Sequence, residues 1–168
     1  HDLVGVITGV VEKESIITGA SILPGDSVLG LPSNGLHTNG YSFARKLFFD
    51  IGKYDVHDSI PELEKPVGLT LLDPHINYTN HVFGVLNNNI DIKGIAHITG
   101  GGLLENIPRI LPDNCGVKIQ KGSWPMPPVF NVMQQIGKVN ENEMYRTFNM
   151  GIGMVFIVDP SNIDTVKN

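Results

Sequence analysis

His97-Ile98-Thr99-Gly100-Gly101-Gly102-Leu103-Leu104-Glu105-Asn106-Ile107-Pro108-Arg109-Ile110-Leu111-Pro112 is the stretch from which the fold reads outward. The β-branched, apolar run Ile92 to Thr99 predicts a short buried strand, three glycines end it, and a short helical pattern follows. Consecutive residues without Cβ allow positive φ and let another molecule approach the main chain. The first N–H groups of the following helix have no partners within it, so such a turn suits an anion. A tight connector needs only the glycines. His97, Thr99, Glu105, Asn106 and Arg109 add donors and acceptors on both sides of the turn.

A chain of 168 residues, 41% of them hydrophobic, can bury one sizeable core, and a single domain is expected over 1–168. Twelve Lys and Arg against 17 Asp and Glu give a formal charge of −5 with no basic run, which disfavours a nucleic-acid or anionic-membrane surface. Cys115 is the only cysteine, so an intrachain disulfide and paired-cysteine metal motifs are excluded and a reducing, cytoplasmic compartment fits. No window approaches the ~18 apolar residues of a membrane helix, and nothing at the N-terminus resembles a signal peptide, so a soluble protein is expected. The chain starts at His1 inside a strand-like run without an initiator Met, which predicts a fragment.

In chain order, Leu3 to Val11 is β-rich and predicts a first strand that Glu12 to Ser15 turns at the surface. Leu23-Pro24-Gly25-Asp26 carries turn chemistry before a strand over Ser27 to Leu31. A helix is expected from Tyr41 to Ile51, with Phe43, Leu47 and Phe48 inward and Gly52 closing it. Lys53 to Lys65 reads as an irregular excursion, followed by a short helix over Val67 to Leu72 that Asp73-Pro74 stops. A helix carrying Ile76, Val82, Phe83, Val85 and Leu86 ends at Asn87-Asn88-Asn89. Beyond Pro112 come an edge strand at Gly116 to Gln120, a helix over Val129 to Ile136, a helix capped by Asn140, a strand over Met154 to Val158, and a last helix from Pro160. Strands alternating with helices predict an α/β domain, an α+β layered sandwich whose mixed β-sheet carries helices packed on it.

Two loops share one form: a strand, a polar glycine-containing turn, then a helix. In the second, Ser33 and Thr38 offer hydroxyls, Asn34 and Asn39 amides, His37 a ring, and Gly40 a flexible joint before the helix. Ser, Asn, Gly and His are also ordinary turn residues, and a His beside a strand is often structural. Arg146 and Asn149 lie three apart, so the guanidinium could fork onto carboxylate or phosphate; an ion pair with Glu143 is the plainer reading. The scattered histidines and carboxylates support no metal site, and neither a Walker-type loop nor a Gly-x-Ser-x-Gly elbow is present.

Gly30 to Ser42 with Arg45-Lys46, then His97 to Pro112, then Glu143-Met144-Tyr145-Arg146-Thr147-Phe148-Asn149-Met150-Gly151-Ile152-Gly153-Met154, resemble in order the aminoimidazole ribonucleotide synthetase family, the phosphoribosylformylglycinamidine cyclo-ligases. Gly9 to Lys13 also looks like that family, and the likeness covers about the second half of its enzymes. The resemblance implies a C-terminal, substrate-side domain whose ATP-binding N-terminal domain is absent from this chain. It implies ATP-dependent closure of the imidazole ring of formylglycinamidine ribonucleotide in purine biosynthesis, with ATP and Mg2+ held mainly by the other domain, and a homodimer formed largely through that domain. It further implies that Ser33, Asn34, Thr38, Asn39, Gly40, Thr99, Gly100, Gly101, Gly102, Glu105, Asn106, Arg146 and Asn149 grip substrate, and that His37 or His97 polarises the amide or moves a proton.

The chain departs from the family at Leu72-Asp73-Pro74-His75-Ile76-Asn77-Tyr78, where Thr-Pro-Thr-Arg-Ile-Tyr is usual; Ile76 stands for the arginine, whose role does not carry over. Two other functions remain open. One is a related ATP-dependent synthetase, such as a selenophosphate or thiamine monophosphate enzyme, which looks different over Thr99 to Arg109 and Met144 to Gly153. The other is a non-catalytic anion-binding module, which this piece resembles when isolated.

Overall fold

The computed structural model describes residues 4–167. Its sheet has three strands, β1 (Ser27–Pro32), β2 (Ile92–His97) and β3 (Ile152–Val158), in the order β1-β3-β2. Both pairings are antiparallel, with Gly30 opposite Val155 and His97 opposite Met154, so the expected mixed sheet is corrected to an antiparallel one among the described residues. β3 is buried along almost its whole length because both its edges are paired and both its faces are covered. Phe156 and Val158 pack with Val85 and Ile92, while Val155 and Ile157 pack with Ile98, Leu103 and Ile107. Each large side chain buried there contributes about 1.5–3 kcal/mol.

The helices are α1 (Tyr41–Arg45), α2 (Val67–Leu71), α3 (Thr79–Asn87), α4 (Gly102–Asn106), α5 (Pro128–Gly137), α6 (Glu141–Thr147) and α7 (Ile163–Lys167). α1 continues as a π-helix over Lys46–Ile51, which Gly52 closes by donating to the Leu47 carbonyl. Its buried Ala44, Leu47 and Phe48 meet Val67, Phe130, Met133, Met144 and Phe148 in a helical core. The Asn140 side chain accepts from the Asn142 N–H and starts α6, as its sequence predicts.

Two expected strands are absent. Residues 4–11 have no regular structure, Leu3 lies outside the described residues, and Val4, Val6, Ile7 and Val10 are almost fully exposed. Residues 116–120 are likewise irregular, although Val117 and Ile119 still pack on the sheet-side core. β-branched composition makes a strand only where a neighbour takes up its N–H and C=O groups, and neither segment has a neighbour in the described sheet. The helix expected from Ile76 begins three residues later at Thr79, which leaves His75 to Tyr78 as an irregular connection that packs against the end of β2. Asn168, the end of the last expected helix, also lies outside the described residues.

Candidate functional site

The loop after β1 folds back on itself in an uncommon backbone conformation. His37 and Thr38 both have positive φ, 52° and 64°. For the β-branched Thr38 this is a strained position, costing on the order of 1–3 kcal/mol. The His37 carbonyl holds the bend by accepting from the Thr38 hydroxyl at 2.5 Å and from Asn39 Nδ2 at 2.8 Å. Gly40 follows with φ 74°, and a Cβ there would stand 2.4 Å from the Phe148 ring, so glycine alone fits where the loop enters α1.

A buried amide ties this loop to the start of β3. Asn149 Oδ1 accepts from Ser33 Oγ at 2.7 Å and from the Gly151 N–H at 2.9 Å, while its Nδ2 donates to the Gly35 carbonyl at 2.7 Å. The Ser33 N–H donates in turn to the Gly151 carbonyl. Ser33 and Asn149 are thus fully engaged inside the protein and shape the loop from behind.

The glycine turn is held in the same way. Asn106 is buried; its Nδ2 donates to the carbonyls of Gly102, Gly100 and Thr99, and its Oδ1 accepts from the Thr99 hydroxyl and Arg109. Gly102, at φ 55°, lies so close to α6 that a Cβ would sit 2.0 Å from the Tyr145 carbonyl oxygen. A Cβ on Gly101 would meet the Glu105 side chain, whose carboxylate lies over the turn. Glu105 pairs with Arg146 at 3.6 Å and with Arg109 at 4.0 Å, and Arg146 also reaches Glu143 at 3.8 Å. All are half or more exposed, so these pairs hold the cluster with ~1 kcal/mol or less apiece and open readily to a competing ligand.

Asn39 joins the two loops: its Oδ1 accepts from the Gly100 N–H at 3.2 Å while its Nδ2 remains on the His37 carbonyl. Around this junction stand three histidines from three separate stretches of chain. The buried His37 ring stacks on His75 with centroids 4.2 Å apart and planes 18° from parallel, and His75 Nε2 lies 3.2 Å from His97 Nε2. Tyr78 closes the group from below, its buried hydroxyl donating to the Pro32 carbonyl at 2.6 Å. Burial pushes the Tyr78 hydroxyl up to about 12.

His37 is 1% exposed, and burial, reinforced by His75 and His97, lowers its pKa from 6.5 to about 4. Asn34 Nδ2 donates to the Pro74 carbonyl, so Asn34 Oδ1 faces His37 Nε2 at 2.7 Å and that nitrogen carries the proton. The N–H groups of Asn34 and Ile76 also approach this atom, at 3.5 and 3.4 Å, but the 2.7 Å contact with Asn34 Oδ1 is far shorter and decides where the proton sits. His37 Nδ1 is left as a buried acceptor with no protein partner. It faces Gly153, where a Cβ would stand 2.8 Å from it and 2.0 Å from the Tyr78 oxygen. Gly153→Ala is therefore expected to displace Tyr78 from Pro32 and to cost about 1–3 kcal/mol, read as a lowered Tm.

His97, unlike His37, is exposed, and burial of part of its ring followed by the nearby His75 lowers its pKa as well. Both rings are neutral near pH 7. A histidine whose pKa is lower folded than unfolded leaves the unfolded chain holding the extra proton between the two values. The contribution of His37 to stability is thus fully present above pH 6.5 and is lost as pH falls from 6.5 towards 4. His37→Gln is expected to flatten that slope, checked by melting temperatures between pH 7.5 and 5.

His97 opens onto a cavity of about 410 Å3 lined also by His75, Ile76, Tyr78, Phe83 and Met154. A larger one of about 860 Å3 follows the edge of β1 between α3 and Trp124, is lined by His81 but by none of His37, His75 and His97, and is mainly apolar. The histidine group lies beside the smaller. Of the residues singled out from sequence, Asn34, Thr38, His97, Gly100, Glu105 and Arg146 present exposed surface, Asn39, Gly40, Thr99 and Gly101 are half-buried, and Ser33, His37, Gly102, Asn106 and Asn149 are buried. His75 and Tyr78 belong to the group as well, and no spacing in the chain links them to positions 37 and 97. The one signal was that their stretch departs from the family pattern.

A family model described as AIR synthase related protein, C-terminal domain, matches residues 24–168. A phosphoribosylformylglycinamidine cyclo-ligase from a Thermoanaerobacter species is 51% identical over 164 residues, spanning 98% of this chain and 48% of that protein. Proteins of the same name from Trichlorobacter lovleyi and Citrifermentans bemidjiense are 48% and 49% identical over 166 and 158 residues, spanning 99% and 94% of this chain and 47% and 45% of their own. The chain thus spans about half the length of the curated relatives it matches.

Proposed function

The chain belongs to the AIR synthase related protein, C-terminal domain, family, and from that premise we propose that it forms the substrate-side half of an ATP-dependent cyclo-ligase. The substrate is formylglycinamidine ribonucleotide and the product aminoimidazole ribonucleotide, a step of purine biosynthesis. The observation that carries this reading is the Asn39 to Gly100 hydrogen bond, which draws two polar, glycine-containing loops into one wall beside His97. The layered α+β sandwich of the superfamily's C-terminal domains, a cytoplasmic location, an N-terminal partner domain and a homodimer built through it belong to the same proposal. The doubled length of the relatives supports the partner domain.

In this reaction ATP transfers its γ-phosphoryl group to the formamide oxygen, the amidine nitrogen adds to the activated carbon, and phosphate leaves as the ring closes. ATP and Mg2+ are assigned mainly to the N-terminal domain, as the family likeness implies, and no step here runs through the metal. The part assigned to this chain is positioning and proton movement. The Gly100 and Gly101 turn and Arg146, released from Glu105 as the phosphate arrives, hold the phosphoribosyl group, and Asn34 and Thr38, whose side chains are engaged with Pro74, His37 and His75, shape the loop against it. Asn39, Gly40, Thr99, Gly102, Glu105 and Asn106 keep the two loops in register. His97, neutral near pH 7, takes the proton lost by the attacking amidine nitrogen. His37, buried and stacked on His75, holds the histidine group in place.

Steady-state kinetics of the two-domain enzyme test the division of labour. Asn39→Ala is expected to raise KM for the ribonucleotide about tenfold, the loss of one loop-joining hydrogen bond, while leaving KM for ATP within twofold. A raised KM for ATP alone would reverse the assignment of the two halves of the cleft.

A further inference from the structure

We infer that His75 is a positioning residue that sets the tautomer of His97 and so determines which of its nitrogens is the base. The inference rests on the reading of His97 given above and starts from a single hydroxyl proton. The Thr38 hydroxyl has one hydrogen, and it is spent on the His37 carbonyl at 2.5 Å, because a carbonyl can only accept. At its contact of 3.4 Å with His75 Nδ1, the Thr38 oxygen is therefore the acceptor and Nδ1–H the donor. A neutral His75 protonated on Nδ1 has a lone pair on Nε2. That lone pair faces His97 Nε2 at 3.2 Å, so the proton between them belongs to His97. His97 is then the Nε2–H tautomer, and its Nδ1 is the unprotonated nitrogen.

The arrangement is over-determined at both ends. The stack on the buried His37 fixes the plane of the His75 ring, and a flip within that plane would take Nδ1 off Thr38 and Nε2 off His97 together, while Thr38 cannot turn without releasing the carbonyl that holds its own left-handed backbone. The chain of donors runs from His97 through His75 and Thr38 to the main chain at His37, all in one direction. It resembles the way the second nitrogen of a metal-bound or catalytic imidazole is pinned by its neighbour.

The test is 15N NMR of the two-domain enzyme with labelled histidine, together with kcat and KM, for the parent protein, His75→Phe and His75→Gln. Phe keeps a ring against His37 and removes the acceptor; Gln places a carbonyl oxygen near the position of Nε2 and restores it. The parent is expected to show His97 protonated on Nε2. His75→Phe should yield a mixture of tautomers and a five- to tenfold loss of kcat with KM for the ribonucleotide unchanged, the scale of one orienting hydrogen bond. His75→Gln should recover most of both. A parent His97 protonated on Nδ1, or a Phe variant with unchanged tautomer or unchanged kcat, would overturn the inference. Failure of the underlying reading is separable: the tautomer is measured without substrate, whereas that reading falls if His97→Ala turns over normally.

Discussion

Replacing His97 by alanine in the two-domain enzyme is expected to lower kcat by about a hundredfold or more, the usual contribution of a positioned acid or base. The side chain ends at the mouth of the 410 Å3 cavity, at the end of β2, on a strand whose backbone is paired to β3 through Met154. Its removal deletes the one imidazole of the group that is exposed and leaves the fold's core untouched. Melting temperature should therefore change little while turnover collapses, and the loss should be in kcat more than in KM. The pH–rate profile of the parent should fall on its acid side as His97 gains a proton, at a pH below the ordinary histidine value because burial and His75 disfavour the cation. That limb should vanish in His97→Ala.

Replacing Asn149 by alanine has the opposite signature. Three partners, Ser33 Oγ, the Gly35 carbonyl and the Gly151 N–H, lose their only side-chain contact in a place water reaches poorly, and Asn149 itself is 1% exposed. Leaving buried donors and acceptors unpaired is expected to lower stability by about 3 kcal/mol, with a lowered denaturation midpoint and an unchanged slope. The loop carrying Asn34 to Asn39 loses its rear anchor, so ribonucleotide affinity falls with it. Asn149→Asp keeps both acceptor contacts but sets a buried carboxylate oxygen against the Gly35 carbonyl, so near neutral pH it is expected to destabilise at least as much as alanine.

Much of this architecture could be read from the chain because its strongest signals are local. β1, the helix at Tyr41 with its Gly52 stop, the Pro128 helix and the Asn140 cap each follow from residues within a few positions of one another. The missing strands show the limit. Val4 to Val11 and Gly116 to Gln120 have the right composition, but a strand depends on a neighbour that the local sequence does not specify. The site divides in the same way. The two glycine-containing loops were visible as motifs, yet whether a polar residue in them faces outward, like Thr38, or inward, like Asn149 and Asn106, depends on contacts more than 100 positions away in one case and on a turn's curvature in the other. Arg146 shows an ion pair that spacing foresaw with Glu143 and a second, with Glu105, that only the packing of α4 against α6 creates. His75 was missed as a partner because its role exists only where the connection after α2 crosses the end of β2.

The proposed part of this domain in ring closure is open to direct test. The measurement that tests it most directly is product analysis of the two-domain enzyme given formylglycinamidine ribonucleotide, ATP and magnesium. The account predicts ADP, phosphate and aminoimidazole ribonucleotide in equal amounts, with formation of all three lost together in His97→Ala. ATP turnover with no imidazole product, or imidazole formation undiminished in His97→Ala, would contradict it.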